Sequence, residues 1–166
     1  MQSREEEFLQ ILSEHQGILH KVSLLYFKTK HEREDNIQEI IYQLWKSYST
    51  FRNQSKVGSW IYSVAINISI SRIKKQKRIR YRENVPEQQE KSNIIDNISK
   101  DESLQLLLNA IYKLDEIYKS IIFLYLEEKS YEEMADILGI KKSNVGVRIN
   151  RAKGLLKEEL KKQGLC

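Results

Sequence analysis

The stretch Ser130-Tyr-Glu-Glu-Met-Ala-Asp-Ile-Leu-Gly-Ile-Lys-Lys-Ser-Asn-Val-Gly-Val-Arg-Ile-Asn-Arg151 reads as two helices joined by a tight turn. Ser130 and Glu133 have the spacing of a capping box, which starts a helix by satisfying its free N–H groups. Ala135 is small where a second helix must cross closely, and Gly139 falls at the turn, where a positive φ is expected. Met134, Leu138, Ile140, Val145 and Ile149 fall where the two helices would bury side chains against each other. The second helix has polar residues at its start and then carries Arg148, Arg151 and Lys153. That pattern suits a DNA major groove. The competing reading is a helical hairpin with a solvated basic face.

Working outward, helical patterning extends over most of the chain. The sequence has one Pro and six Gly, and no clean period-two alternation bounded by turns. Phe8, Leu9, Ile11 and Leu12, then Ile18, Leu19, Val22, Leu25 and Tyr26, recur at helical spacing over about 4–29. Gly17 either breaks this into two helices or weakens one. Ile37, Ile40, Ile41, Leu44, Trp45 and Tyr48 form the best-patterned stripe, with Asp35 or a neighbour as its cap. Residues 52–59 read as a loop. Trp60, Ile61, Val64, Ala65 and Ile68 line the next helix, Trp60 serving either as core or as a stacking platform. The helix runs into Lys74-Lys-Gln-Lys-Arg-Ile-Arg-Tyr-Arg82, too basic to be balanced by neighbours one turn away.

Residues 83–99 are polar and hold the only Pro, as a linker would. A capping box from Ser99 to Glu102 opens a helix lined by Leu104, Leu107, Leu108, Ile111 and Leu114. Ile117, Ile121, Ile122, Leu124 and Tyr125 belong to the next. The expected fold is all-α: two small helical domains, 1–82 and 100–166, joined by a flexible linker at 83–99, the second containing the helix-turn-helix.

The 166 residues carry a net charge of +5 and a pI near 9.1, which permits nucleic-acid binding. One Cys, at position 166, excludes an intrachain disulfide. The opening Met-Gln-Ser-Arg-Glu-Glu-Glu is not an apolar leader, and no stretch approaches a membrane span. The expectation is a cytoplasmic protein. His15 and His20 are five apart and share no helix face as a metal pair would. No phosphate-cradling Gly loop occurs. Hence no enzymatic activity, cofactor, metal or small-molecule substrate is expected.

In order and spacing the chain resembles the bacterial extracytoplasmic-function (ECF) group of RNA polymerase sigma factors over nearly its whole length. The resemblance rests on Asp35-Asn-Ile-Gln-Glu-Ile-Ile-Tyr-Gln-Leu-Trp45, on Phe51-Arg52 with the following loop, and on Trp60-Ile-Tyr-Ser-Val-Ala-Ile-Asn67. It rests also on Arg72-Ile-Lys-Lys-Gln-Lys-Arg78 and on the helix-turn-helix through Lys157.

The resemblance implies a transcription initiation factor with two polymerase contacts, the β′ coiled coil and the β flap. Asp35, Gln38, Glu39, Ile41 and Trp45 match positions that meet the coiled coil. Arg52, Asn53, Gln54, Ser55, Trp60, Asn67, Arg72 and Lys75 match the part that captures a flipped base and faces −10 DNA. Lys142, Ser143, Asn144, Arg148 and Arg151 match the −35-reading helix. An anti-sigma factor is the implied inhibitor. The chain departs from the family pattern at Val57-Gly58, where a larger apolar residue is usual, at Lys141 in place of a Ser or Thr cap, and at Gly146 in place of a basic or polar residue. Two other readings compete: a dimeric helix-turn-helix regulator on palindromic sites, and a helical adaptor without DNA affinity.

Overall fold

Each helix begins where a side chain or backbone turn can close its first N–H groups. The computed structural model describes residues 1–52, 56–86 and 101–164, and among these every regular element is a helix. They are α1 (Arg4–Tyr26), α2 (Lys30–Tyr48), α3 (Val57–Glu83), α4 (Glu102–Tyr112), α5 (Glu116–Leu126), α6 (Tyr131–Leu138) and α7 (Lys142–Lys162). The chain divides into two compact units, Met1–Glu87 and Gln88–Cys166.

In the first unit α1, α2 and α3 pack against one another. Two reciprocal capping boxes start α1 and α2: Ser3 with Glu6, and Thr29 with Glu32. The cap of α2 is therefore Thr29, and Asp35 lies inside the helix instead of at its start. Gly17 produces no break. It sits on the exposed side of a continuous α1, where nothing lies within 4 Å of an added Cβ. The buried line of α2 runs Asn36, Ile40, Leu44, whereas Ile37, Ile41, Trp45 and Tyr48 are its half-exposed flank.

Asn36 is fully buried. Its Nδ2 donates to Ser23 Oγ on α1 at 3.0 Å and to Ser69 Oγ on α3 at 2.8 Å. One amide thus ties three helices together through hydrogen bonds that the interior makes costly to lose. In α3 the buried set is Ile61, Tyr62, Ala65, Ile66, Ser69 and Ile73. Val64 and Ile68 are flank positions instead of core.

In the second unit α7 packs against α4, α5 and α6. The described start of α4 has Asp101 as its cap, accepting from Ser103 N at 3.0 Å. The expected cap Ser99 lies outside the described residues, two positions before the observed one. Ser130 Oγ accepts from Glu133 N at 3.1 Å, and the hydroxyl donates to the Glu133 carboxylate at 3.2 Å. Gly139 ends α6 at φ 64° and ψ 36°, in the left-handed region that favours glycine. Met134, Ala135 and Ile137 of α6 meet Val145, Ile149 and Ala152 of α7 in a closed apolar contact. Ile137 takes the buried place expected for Leu138, which is half-buried. No helix among the described residues is long and apolar enough to cross a membrane.

Candidate nucleic-acid and polymerase interfaces

Burial of Asn36, Ile40 and Leu44 turns the opposite arc of α2 outward. Asp35, Gln38 and Glu39 fall on that arc by helical spacing, and Ile41 and Trp45 flank it, half-exposed beside α1. Asp35 pairs with His31 Nε2 at 3.4 Å, and Glu39 accepts from Gln43 Nε2 at 3.1 Å. Tyr42, 56% exposed, stands at the arc's middle and was missed by the sequence pattern, which counts apolar positions and not their gaps. Ile37 and Ile41 join Leu9, Leu12 and Leu19 of α1 along a shallow apolar groove of about 280 Å3.

At the far end of the unit five rings meet. Phe8 lies 5.0 Å from Trp45 and 5.3 Å from Tyr48, and Tyr48 lies 6.3 Å from Trp60. Phe51 and Trp60 stack at 4.4 Å with planes 17° apart. Arg4 lies over Trp45 at 5.1 Å and over Tyr48 at 5.7 Å, each a cation–π contact. Burial, then the nearby Glu7 carboxylate, push the Tyr48 phenol above its ordinary value. Its hydroxyl donates a long bond to Glu7 Oε2 at 3.4 Å. The Phe51–Trp60 stack brackets the segment that begins at exposed Arg52. Asn53, Gln54 and Ser55 lie outside the described residues.

Trp60 is therefore neither wholly core nor a free platform: it is half-buried in this ring cluster. Space does not require a glycine at position 58. An added Cβ there would lie 3.9 Å from His15 Cδ2, where the first turn of α3 meets α1.

Along α3, Asn67 and Lys75 are exposed, on the side away from the core. Arg72 is not on that side. Its guanidinium lies 5.8 Å from the Phe27 ring, and its Nε is buried without a hydrogen bond. Lys74 and Arg78 occupy the exposed line instead.

On α7, burial of Val145, Ile149 and Ala152 points Ser143, Val147, Asn150 and Arg151 outward. Lys142 and Asn144 are exposed at the helix start, and Arg148 is half-buried on the flank. Val147, 52% exposed, was missed because an apolar residue on a polar face looks like noise. At Gly146 an added Cβ would touch the exposed Tyr131 ring at 3.4 Å, a contact that ring can accommodate. Among the described residues no group of three or more His, Cys, Asp or Glu is placed to hold a metal ion.

Two family models match the chain: Sigma-70 region 2 over residues 11–79 and Sigma-70, region 4 over residues 104–156. The RNA polymerase sigma factor SigV of Bacillus subtilis is 28% identical, covering 93% of this chain and 91% of the relative. The ECF RNA polymerase sigma factor SigW of the same organism is 27% identical, covering 95% and 90%.

The fold is like that of the sigma factor RpoE solved with the anti-sigma factor NepR from Bartonella quintana. There the TM-score is 0.72 at 22% identity, covering 93% of this chain and 97% of that one. CnrH, solved with the cytosolic domain of CnrY, gives a TM-score of 0.66 at 19% identity, with 96% and 91% covered. The chain belongs to the ECF group of the sigma-70 family of RNA polymerase sigma factors. It is a transcription initiation factor, and the dimeric-regulator and adaptor readings give way to that.

Proposed function

We propose that the first unit, over 1–82, binds core RNA polymerase and opens the −10 element, while 100–166 docks on the −35 element and the β flap. Residues 83–99 are the tether. Two DNA contacts on one tether raise each other's effective concentration, so neither unit needs to bind tightly alone. The β′ coiled coil meets the outer arc of α2 and its flank, through Asp35, Gln38, Glu39, Ile41 and Trp45, with Tyr42 at the arc's centre. Arg52, Asn53, Gln54 and Ser55 take a flipped −10 base. Asn67 and Lys75 hold the displaced strand, and Arg72 positions α3 by packing on Phe27. Lys142, Ser143, Asn144, Arg148 and Arg151 read the −35 element.

The observation that carries this reading is α3 itself. From Val57 to Arg82 it has no acidic residue, and its exposed side offers Asn67, Lys74, Lys75 and Arg78 directly beyond an aromatic-bracketed loop. Cations beside stacking faces are what an unpaired strand needs. Catalysis stays with polymerase, so the protein is not an enzyme, and it works in the cytoplasm. RpoE was solved with the anti-sigma factor NepR and CnrH with the cytosolic domain of CnrY. An anti-sigma factor is accordingly the proposed regulator here.

The test is a double change of Gln38 and Glu39 to Ala. Both lie off the buried line of α2, so the helix content and melting temperature should hold. Affinity for core polymerase should fall by about ten-fold or more. Unchanged affinity removes this arc from the polymerase interface.

A further inference from the structure

The last buried residue of α3 is Ile73, yet the helix continues to Glu83. The projecting part carries Lys74, Lys75, Lys77, Arg78, Arg80 and Arg82. Like charges one turn apart on a helix oppose its formation, by a few tenths of a kcal/mol per pair (~0.2–0.5). A cationic helix end of this kind, beyond the last buried residue, attracts polyanions.

Its surface is not only cationic. Asn67, Ser71, Lys74, Arg78 and Tyr81 are all exposed and fall at i, i+4, i+7, i+11 and i+14, so they form one line. From Asn67 to Tyr81 the line runs about 21 Å at 1.5 Å per residue, the span of about six stacked nucleotides at 3.4 Å. Tyr81 ends it, 86% exposed, with its ring outside any core. Beside Tyr81 lies a groove of about 340 Å3 lined, among the described residues, by Lys77, Arg80, Tyr81, Asn84 and Val85. Asn84 shapes its end: at φ 50° and ψ 33° it stops the helix, and the Val85 N–H bonds back to Arg80 O at 3.1 Å. The volume is at the small end of the range for ligand sites, about 300–1,000 Å3.

Duplex DNA presents base edges and phosphates, and cations alone suffice to hold its backbone. An exposed ring lining a cationic groove offers something else, a face on which an unpaired base can stack. We propose that the Tyr81 groove is a single-nucleotide site for the unpaired promoter strand, the base stacking on Tyr81 and the adjoining phosphate meeting Arg80 and Lys77. This rests on the reading that α3 faces melted promoter DNA. It extends that contact two turns past Lys75, to residues the family resemblance did not single out.

The experiment uses the full chain with core RNA polymerase on fork-junction DNA, duplex at −35 and single-stranded through −10. The parent is compared with Tyr81→Ala, Tyr81→Trp and Arg80→Ala, and abasic sites are placed one at a time along the unpaired strand. Tyr81→Ala should weaken fork binding about ten-fold, with the salt slope and fully duplex binding unchanged. Tyr81→Trp should restore it. Arg80→Ala should lower the salt slope by about one unit. One abasic position should cost the parent the same factor and cost Tyr81→Ala nothing further.

The proposal is overturned if Tyr81→Ala binds the fork like the parent, or if every abasic position adds fully to its defect. If Asn67→Ala and Lys75→Ala weaken fork binding while the Tyr81 variants do not, only this groove is lost. If none of them matters, the −10 reading of α3 fails and takes the groove with it.

Discussion

The two units present DNA-facing groups in opposite ways. In the second, α7 is one face of a dry contact: Val145, Ile149 and Ala152 are buried against α6 and its neighbours, and everything opposite is aimed outward by helix period alone. In the first, the functional elements are held by oriented polar and aromatic groups. Asn36 joins α2 to Ser23 and Ser69, and the Phe8, Trp45, Tyr48, Phe51, Trp60 cluster joins the helix ends. The difference suits the tasks proposed for the two units. Reading a duplex groove needs a rigid helix of the right face, while capturing a flipped base needs a segment fixed at both ends and paid for in stacking.

The sharpest way to break this contrast is Trp60→Ala. It removes the ring that meets both Phe51 and Tyr48, and should cost the first unit about 2–3 kcal/mol. With only two Trp in the chain, Trp45 fluorescence then reports that unit's melting alone. The expected result is an earlier transition by Trp45 emission, with hydrogen-exchange protection of α5, α6 and α7 unchanged. Equal loss of protection in both units would show that the contrast is false.

Asn36→Ala comes next. It deletes both interhelical hydrogen bonds at a fully buried site, worth about 1–2 kcal/mol in a urea midpoint. A neutral result would mean that apolar packing alone sets the register of α2.

In the second unit, Arg151→Ala should leave stability unchanged, because Arg151 is exposed. It should lower the salt slope of promoter binding by about one unit. Arg148, half-buried, should give a mixed loss of stability and binding. The smallest effect is a gain: Gly17→Ala in the exposed, unobstructed middle of α1 should stabilise the first unit by about 0.5–1 kcal/mol.

The same contrast decides what the sequence could reveal. The helix-turn-helix was legible because its signals are local: a Ser130 cap, a Gly139 turn, and apolar residues at one period. In the first unit the stripe held Ile40 and Leu44, but Asn36 counts as polar in any pattern, so the first member of the buried line was left out. Arg72 was grouped with its basic neighbours, although helix phase turns it toward Phe27. Charge is visible in a sequence, but the direction in which a cation points depends on packing from two other helices. Gly17 was ambiguous because a solvated glycine weakens a helix without ending it.

The central claim is that this chain opens duplex DNA together with polymerase, through the segment bracketed by Phe51 and Trp60. Permanganate reactivity of thymines on a promoter duplex tests it most directly. With core polymerase and the parent chain, thymines in the −10 element should become reactive. With Asn53-Gln54-Ser55 replaced by Gly they should stay protected, although the closed complex still forms, and a pre-melted −10 bubble should partly restore transcription. A variant that opens the duplex as well as the parent, or a parent that binds promoters with polymerase and never exposes a thymine, would contradict the account.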